Sequence, residues 1–131
     1  MKKEHPKNGL HTEYFENGKK KEGNYKDGKK EGIWTMWYEN GQKKVEGNYK
    51  DGKADGKQTQ WYKNGQIELE INYKDGKKEG IWTMWYENGQ KEYEWNYTND
   101  KRDGKSTYWN ENGQIESEAI YNNGECISGD C

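Results

Sequence analysis

The chain has 131 residues, 27% of them apolar and 35% charged, with a formal net charge of -2. That balance approaches the disordered range and leaves no long-range field to draw in phosphate backbones or anionic lipid, so nucleic acid and membrane lipid are disfavoured as partners. Seven Trp, eleven Tyr and one Phe make up more than half of the apolar set; rings bury large areas and suit strands, so an ordered chain with a thin core is expected. No apolar run approaches the roughly 18 residues of a membrane helix, and the start MKKEHPKNG lacks the apolar segment of a secretory signal, which points to a cytoplasmic protein.

The twenty residues NYKDGKKEGIWTMWYENGQK occur twice, at 24–43 and at 72–91. Asn-Gly pairs at 17/18, 40/41, 64/65, 88/89 and 112/113 advance by 24 residues, except that the first unit is one residue shorter. A second turn signal falls at Asp27-Gly28, Asp51-Gly52, Asp75-Gly76, Asn99-Asp100 and Asn123-Gly124, and a third glycine recurs at 9, 32, 56, 80 and 104. Five units follow, 10–32, 33–56, 57–80, 81–104 and 105–128, and the ending GECISGDC makes the last a candidate cap.

In chain order, each unit is predicted to run strand, Asn-Gly turn, strand, longer glycine turn. Asn-Gly is the strongest short hairpin signal because a type I′ turn needs positive φ at both central residues. A two-residue loop at Asn40-Gly41 sets Glu39 opposite Gln42, Met36 opposite Val45, Thr35 opposite Glu46 and Trp34 opposite Gly47; Lys50 to Gly56 then returns the chain. Repeating this gives roughly ten short strands. With too few aliphatic residues for two layers and no helix to cover a face, the fold class is all-β, an elongated, curled, single-layer antiparallel meander.

Two kinds of aromatic position emerge. One keeps its character in every unit: Tyr14, Trp37, Trp61, Trp85 and Trp109 in the first strand, and Tyr25, Tyr49, Tyr73, Tyr97 and Tyr121 in the second. Together with Thr12, Thr35, Thr59, Thr83 and Thr107 these are expected to be a structural ladder that stacks unit on unit. The other kind varies: His11, Trp34, Gln58, Trp82 and Ser106 at one position, then Glu13, Met36, Gln60, Met84 and Tyr108. Period-two alternation places these on one face of the strand and the Thr/Trp ladder on the other, and across the hairpin they meet Val45, Leu69, Ile71, Tyr93 and Trp95. Either that face is filled by its own rings, or Trp34, Met36, Trp82, Met84, Tyr93, Trp95, Tyr62 and Tyr108 form a docking surface for a protein partner.

EGNYKDGKKEGIWTMWYENG (22–41), EGNYKDGKADGKQTQWYKNG (46–65) and their later copies resemble the MORN repeat, and the ENGQ turn with its 24-residue step is most similar to the bacterial variant carried by YwqK-family antitoxins. The resemblance covers about residues 9–128. It implies a curled single-layer sheet whose groove takes a peptide or helix from a partner, and an antitoxin or immunity role. The chain departs from the common pattern in placing Thr at 35, 59, 83 and 107.

No catalytic constellation is apparent. The histidines are His5 and His11, the serines Ser106, Ser117 and Ser128 sit at exchangeable positions without a nucleophile elbow, and the glycines are spaced for turns rather than for phosphate. Glu68/Glu70 and Glu92/Glu94 share strand faces with nearby Lys and are expected to be solvated charge. No cofactor or metal is implied, and Cys126 and Cys131 are expected to be incidental thiols, with a terminal disulfide as the alternative. The competing functions are a protein-binding scaffold, a nucleic-acid or carbohydrate binder using the same rings, and a self-assembling unit whose end strands add to neighbours, with Pro6 and the charged start as edge protection.

Overall fold

Residues 7–131 are described by a computed structural model of the chain. The strands are β1 Gly9–Phe15, β2 Gly18–Lys26, β3 Lys29–Trp37, β4 Lys43–Lys50, β5 Lys53–Trp61, β6 Ile67–Lys74, β7 Lys77–Trp85, β8 Lys91–Thr98, β9 Lys101–Arg102, β10 Gly104–Trp109, β11 Ile115–Asn122 and β12 Glu125–Gly129. They form one open antiparallel sheet in chain order, with the two-residue β9 pairing only to β8. The roughly ten strands expected become twelve because Asp103, whose N–H bonds the Asn96 carbonyl, separates β9 from β10, and because the tail adds β12. Pro6 lies outside the described residues.

The turns correct the sequence reading in a way that leaves its register intact. Positive φ at two successive residues occurs at Asp27 (52°) and Gly28 (78°), and again at each Asp-Gly or Asn-Gly that follows the second strand of a unit, so the type I′ geometry sits there. At Asn40-Gly41 only Gly41 is positive, at 88°; Gly41 N–H bonds the Tyr38 carbonyl and Tyr38 N–H bonds the Gln42 carbonyl, which makes a three-residue loop with glycine in the left-handed position. The extra loop residue is cancelled by a bulge at Lys44: Trp37 pairs with Lys43, yet Met36 pairs with Val45, Thr35 with Glu46 and Trp34 with Gly47, as expected.

The supposed long turn from Lys50 to Gly56 is a two-residue turn, with Lys50 paired to Lys53, followed by a bulge inside β5. Asn48 of β4 is there opposed by Asp55, Gly56 and Lys57, and Gly56 takes a φ of 95° that other residues rarely adopt. The acid before this glycine ties one unit to the next. The Asp55 carboxylate accepts from Asp75 N–H at 3.3 Å, as Glu31 does from Asp51 N–H at 3.1 Å and Glu79 from Asn99 N–H at 2.7 Å.

Both long edges of the sheet are therefore stitched unit to unit. On the Asn-Gly side, Asn40 Nδ2 donates to the Lys63 carbonyl (3.1 Å) and Asn88 Nδ2 to the Glu111 carbonyl (2.9 Å). Each unit touches only its neighbours, the one-dimensional architecture of a repeat array. The core is correspondingly thin: among the described residues, Trp34, Tyr97 and Ala119 are the buried apolar ones, and no large side chain is fully enclosed.

Candidate functional site

The two faces of the sheet differ in chemistry. On one, Thr35 Oγ1 donates to Glu46 (3.0 Å), Lys43 Nζ meets the same carboxylate oxygen at 2.9 Å, and that ammonium lies 5.8 Å from the ring of Trp61 in the next unit. The Lys43 contact, ahead of the Thr35 hydroxyl, holds the Glu46 carboxyl below the ordinary carboxylate range. Thr12, Glu22, Lys19 and Trp37 repeat the arrangement, and Lys91 bridges Glu94 and Trp109 likewise. In the third and fifth units the lysine position holds Ile67 and Ile115, and Lys57 and Lys105 reach Glu70 and Glu118 instead. Trp37, Trp61 and Trp109 thus each carry a lysine of the preceding unit over the ring. Glu70 and Glu94 belong to this face as ion-paired carboxylates.

The ladder tyrosines do not share that face with the Thr and Trp positions. Tyr25 packs edge-on against Trp34 at 4.9 Å between ring centroids, and Tyr97 edge-on against Trp82 at 6.2 Å. Alternation along the second strand of each unit puts it there: Tyr49 follows Val45 and Gly47 at period two, and Tyr97 follows Tyr93 and Trp95, the residues paired with the variable positions. A cation caps these rings: Lys30 lies 4.9 Å from Tyr49 and 5.0 Å from Trp34, and Lys78 lies 5.0 Å from Tyr97.

Along the variable face, successive strands place residues side by side, and size alternates at the N-terminal end. Trp34 lies between Gly23 and Gly47, and its indole covers Gly23 so closely that a methyl group there would fall within the ring. Its Nε1 donates to the Asn24 carbonyl at 3.0 Å, and it is 4% exposed. The sequence reading offers the face of Trp34 to a partner; the empty space above Gly23 has instead taken the ring into the sheet. Its neighbour Met36 sits between Lys21 and Val45, half-buried.

At the C-terminal end the same tryptophan position behaves differently. Trp82 pairs with Ile71 on one side and Trp95 on the other. Ile71 occupies the space that Gly23 leaves open, so the indole of Trp82 packs against Trp95 at 4.1 Å and its Nε1 has no hydrogen-bond acceptor. The rings continue from there. Tyr93 lies 5.2 Å from Trp95 and stacks on Tyr108 at 4.6 Å, and Met84 pairs with Tyr93 across the strands. Arg102, the sole arginine, lies between Trp95 (4.2 Å) and Tyr121 (3.8 Å), donates to Ser106 Oγ at 2.9 Å, and leaves its Nε without a partner. A shallow cavity of about 200 Å³ opens over Tyr93, Trp95, Arg102, Tyr108 and Tyr121. Burial, with the neighbouring Tyr108 hydroxyl, pushes the Tyr93 hydroxyl above the ordinary tyrosine range.

Of the eight candidates, the structure brings together Trp82, Met84, Tyr93, Trp95 and Tyr108. Trp34 and Met36 stand four strands away, roughly 19 Å at normal strand spacing. Tyr62 acts as a staple between units: its hydroxyl donates to the Trp85 carbonyl at 2.6 Å, as Tyr38 does to Trp61 (2.7 Å) and Tyr86 to Trp109 (2.7 Å). Sequence reasoning missed this staple, although the recurrence of Tyr before each x-Asn-Gly at 38, 62 and 86 is its signal. It also missed Arg102, which a change from Lys30, Ala54 and Lys78 at the same repeat position singles out. Cys126 and Cys131 form a disulfide rather than two free thiols. Among the described residues, no group of three His, Cys, Asp or Glu side chains is placed to hold a metal ion, and no helix is long and apolar enough to cross a membrane.

One antiparallel layer of tandem hairpins, stitched at both edges and laddered with Trp on one face and Tyr on the other, defines a β-hairpin repeat protein. The chain belongs to the MORN repeat variant family, which matches it at residues 7–27, 30–51, 54–75, 78–99 and 102–123. A search among curated proteins found no match.

Proposed function

We propose that the chain is a non-catalytic protein-binding scaffold that docks its partner on the ring cluster of β7, β8 and β10. The observation that carries this is the cluster itself. Trp82, Trp95, Tyr93 and Tyr108 form a continuous row of half-buried rings on a layer that has nothing packed over it among the described residues. Trp and Tyr supply large contact area with little conformational entropy to lose, and they dominate binding hot spots. The likeness of the ENGQ units to bacterial antitoxin repeats favours a partner that is a toxin or nuclease held inactive by occupation.

The test is affinity capture from host lysate with wild type and with the Tyr93→Ala/Trp95→Ala variant, followed by titration of the purified partner. Met36→Ala, at the other end of the sheet, serves as the control. A partner held by wild type and by Met36→Ala but lost from the folded double variant supports the reading. Binding of single-stranded nucleic acid or glycan with steep salt dependence, in place of a protein, would replace it with the stacking-platform reading.

A further inference from the structure

The sheet ends at β1, which among the described residues is hydrogen-bonded to β2 alone. An edge strand presents a row of free N–H and C=O groups, and sheets usually blunt such an edge with a bulge or with charge. Here the irregularity between β1 and β2 falls on β2, where Lys20 is the extra residue, so β1 itself is regular from Gly9 to Phe15. Leu10 is 62% and Tyr14 66% exposed, the highest values among the large apolar side chains described. The inner counterparts of Tyr14 are half-buried because a lysine of the preceding unit covers several of them, as Lys19 covers Trp37 and Lys43 covers Trp61.

The residue order of β1, GLHTEYF, is complementary to itself when reversed about Thr12. Antiparallel pairing of two copies through a two-fold axis at Thr12 sets His11 opposite the other copy's Glu13 and Leu10 opposite its Tyr14, each pair twice. The imidazole meets a carboxylate on one face, and the two most exposed apolar side chains meet on the other. The opposite edge lacks this property. β12 has five residues, Glu125–Gly129, and reversal about Ile127 brings together only Cys126 with Ser128 and Glu125 with Gly129. It is also drawn inward, since the Asp130 carboxylate accepts from Glu118 N–H at 3.0 Å.

We propose that β1 is an isologous interface for a second copy of this chain, joining two twelve-stranded sheets edge to edge into one. The two-fold closes the assembly at a dimer, whereas β1 on β12 would be a heterologous contact and would grow filaments. The inference stands apart from the ring cluster, which lies on strands β7 to β10 at a distance from β1.

Sedimentation equilibrium of the full chain from about 1 µM to about 1 mM tests it. A monomer–dimer equilibrium is expected, and Leu10→Asp/Tyr14→Asp should raise the dissociation constant at least about tenfold, with circular dichroism unchanged, because both side chains are exposed in the monomer. Thr12→Cys should cross-link to itself under mild oxidation, seen by mass spectrometry as a disulfide joining two copies of the β1 peptide, while Ile127→Cys on β12 should not. Three results would overturn the proposal: a monomer throughout the range, a dimer insensitive to the β1 substitutions, or cross-linking through position 127 in place of 12.

Discussion

Gly23 and Gly47 occupy the same place in two units, each within EGNYKDGK, and replacing each by alanine should give unequal results. A methyl at Gly23 would fall inside the Trp34 indole, whereas a methyl at Gly47 would meet the amide end of Gln58, a flexible side chain free to swing toward solvent. Trp34 is 4% exposed; burying an indole of roughly 150–250 Å² contributes about 4–6 kcal/mol as an upper estimate. Lifting the ring off Gly23 forfeits about half of that burial and strains the hydrogen bond to Asn24, so a loss of about 2–3 kcal/mol is expected, inside the range for overpacked cores. Gly47→Ala displaces a polar group already at the surface and should cost less than about 1 kcal/mol. For a chain of this length the first change lowers the melting temperature by roughly 8–12 °C if the array melts as one. Because β1 to β3 lie at one end of a one-dimensional array, they can also open separately, which limits what a global melt records. Hydrogen exchange is therefore the decisive assay: Gly23→Ala should accelerate exchange at the Trp34 indole and across β2 and β3, while β8 to β11 keep their protection. Equal effects of the two substitutions, or a slow-exchanging Trp34 indole in Gly23→Ala, would refute the packing argument.

The staples and the charge ladder give two further expectations. Tyr62→Phe removes a hydroxyl whose only loss is the bond to the Trp85 carbonyl, so it should cost about 1 kcal/mol and raise exchange locally between the third and fourth units; an unchanged profile would mean the bond contributes nothing. Glu46 has its carboxyl held below the ordinary range chiefly by Lys43, so the stability it adds is fully present above that range and is lost as pH falls through the lowered folded-state value. Glu46→Gln should therefore melt below wild type at neutral pH, and the gap should close as both are acidified toward pH values of about 3. A gap that stays constant with pH would assign the effect to packing.

Much of the fold was legible because it is written in local chemistry. The Asn-Gly and Asp-Gly pairs fix where the chain reverses, and the repeat of 24 fixes how often, so the meander and even the pairing of Met36 with Val45 follow from residues close in sequence. The type of turn was not legible, since Asn-Gly suits a type I′ loop and also a three-residue loop with glycine last, and the bulge at Lys44 hides the difference downstream. The face of the tyrosines, by contrast, is written in the alternation, since Tyr97 follows Tyr93 and Trp95 at period two along β8.

The candidate site depended still more on tertiary structure, and the two identical copies of NYKDGKKEGIWTMWYENGQK show why. Local sequence determined that both form a second strand's end, a tight turn and a first strand carrying a tryptophan. Only the assembled sheet decided what each tryptophan does. Trp34 crosses Gly23 and sinks out of reach, while Trp82 crosses Ile71 and joins Trp95 and its neighbours in the half-buried row. In a sheet, the space beside a side chain belongs to the neighbouring strand, and Gly23 and Ile71 both lie outside the duplicated twenty residues.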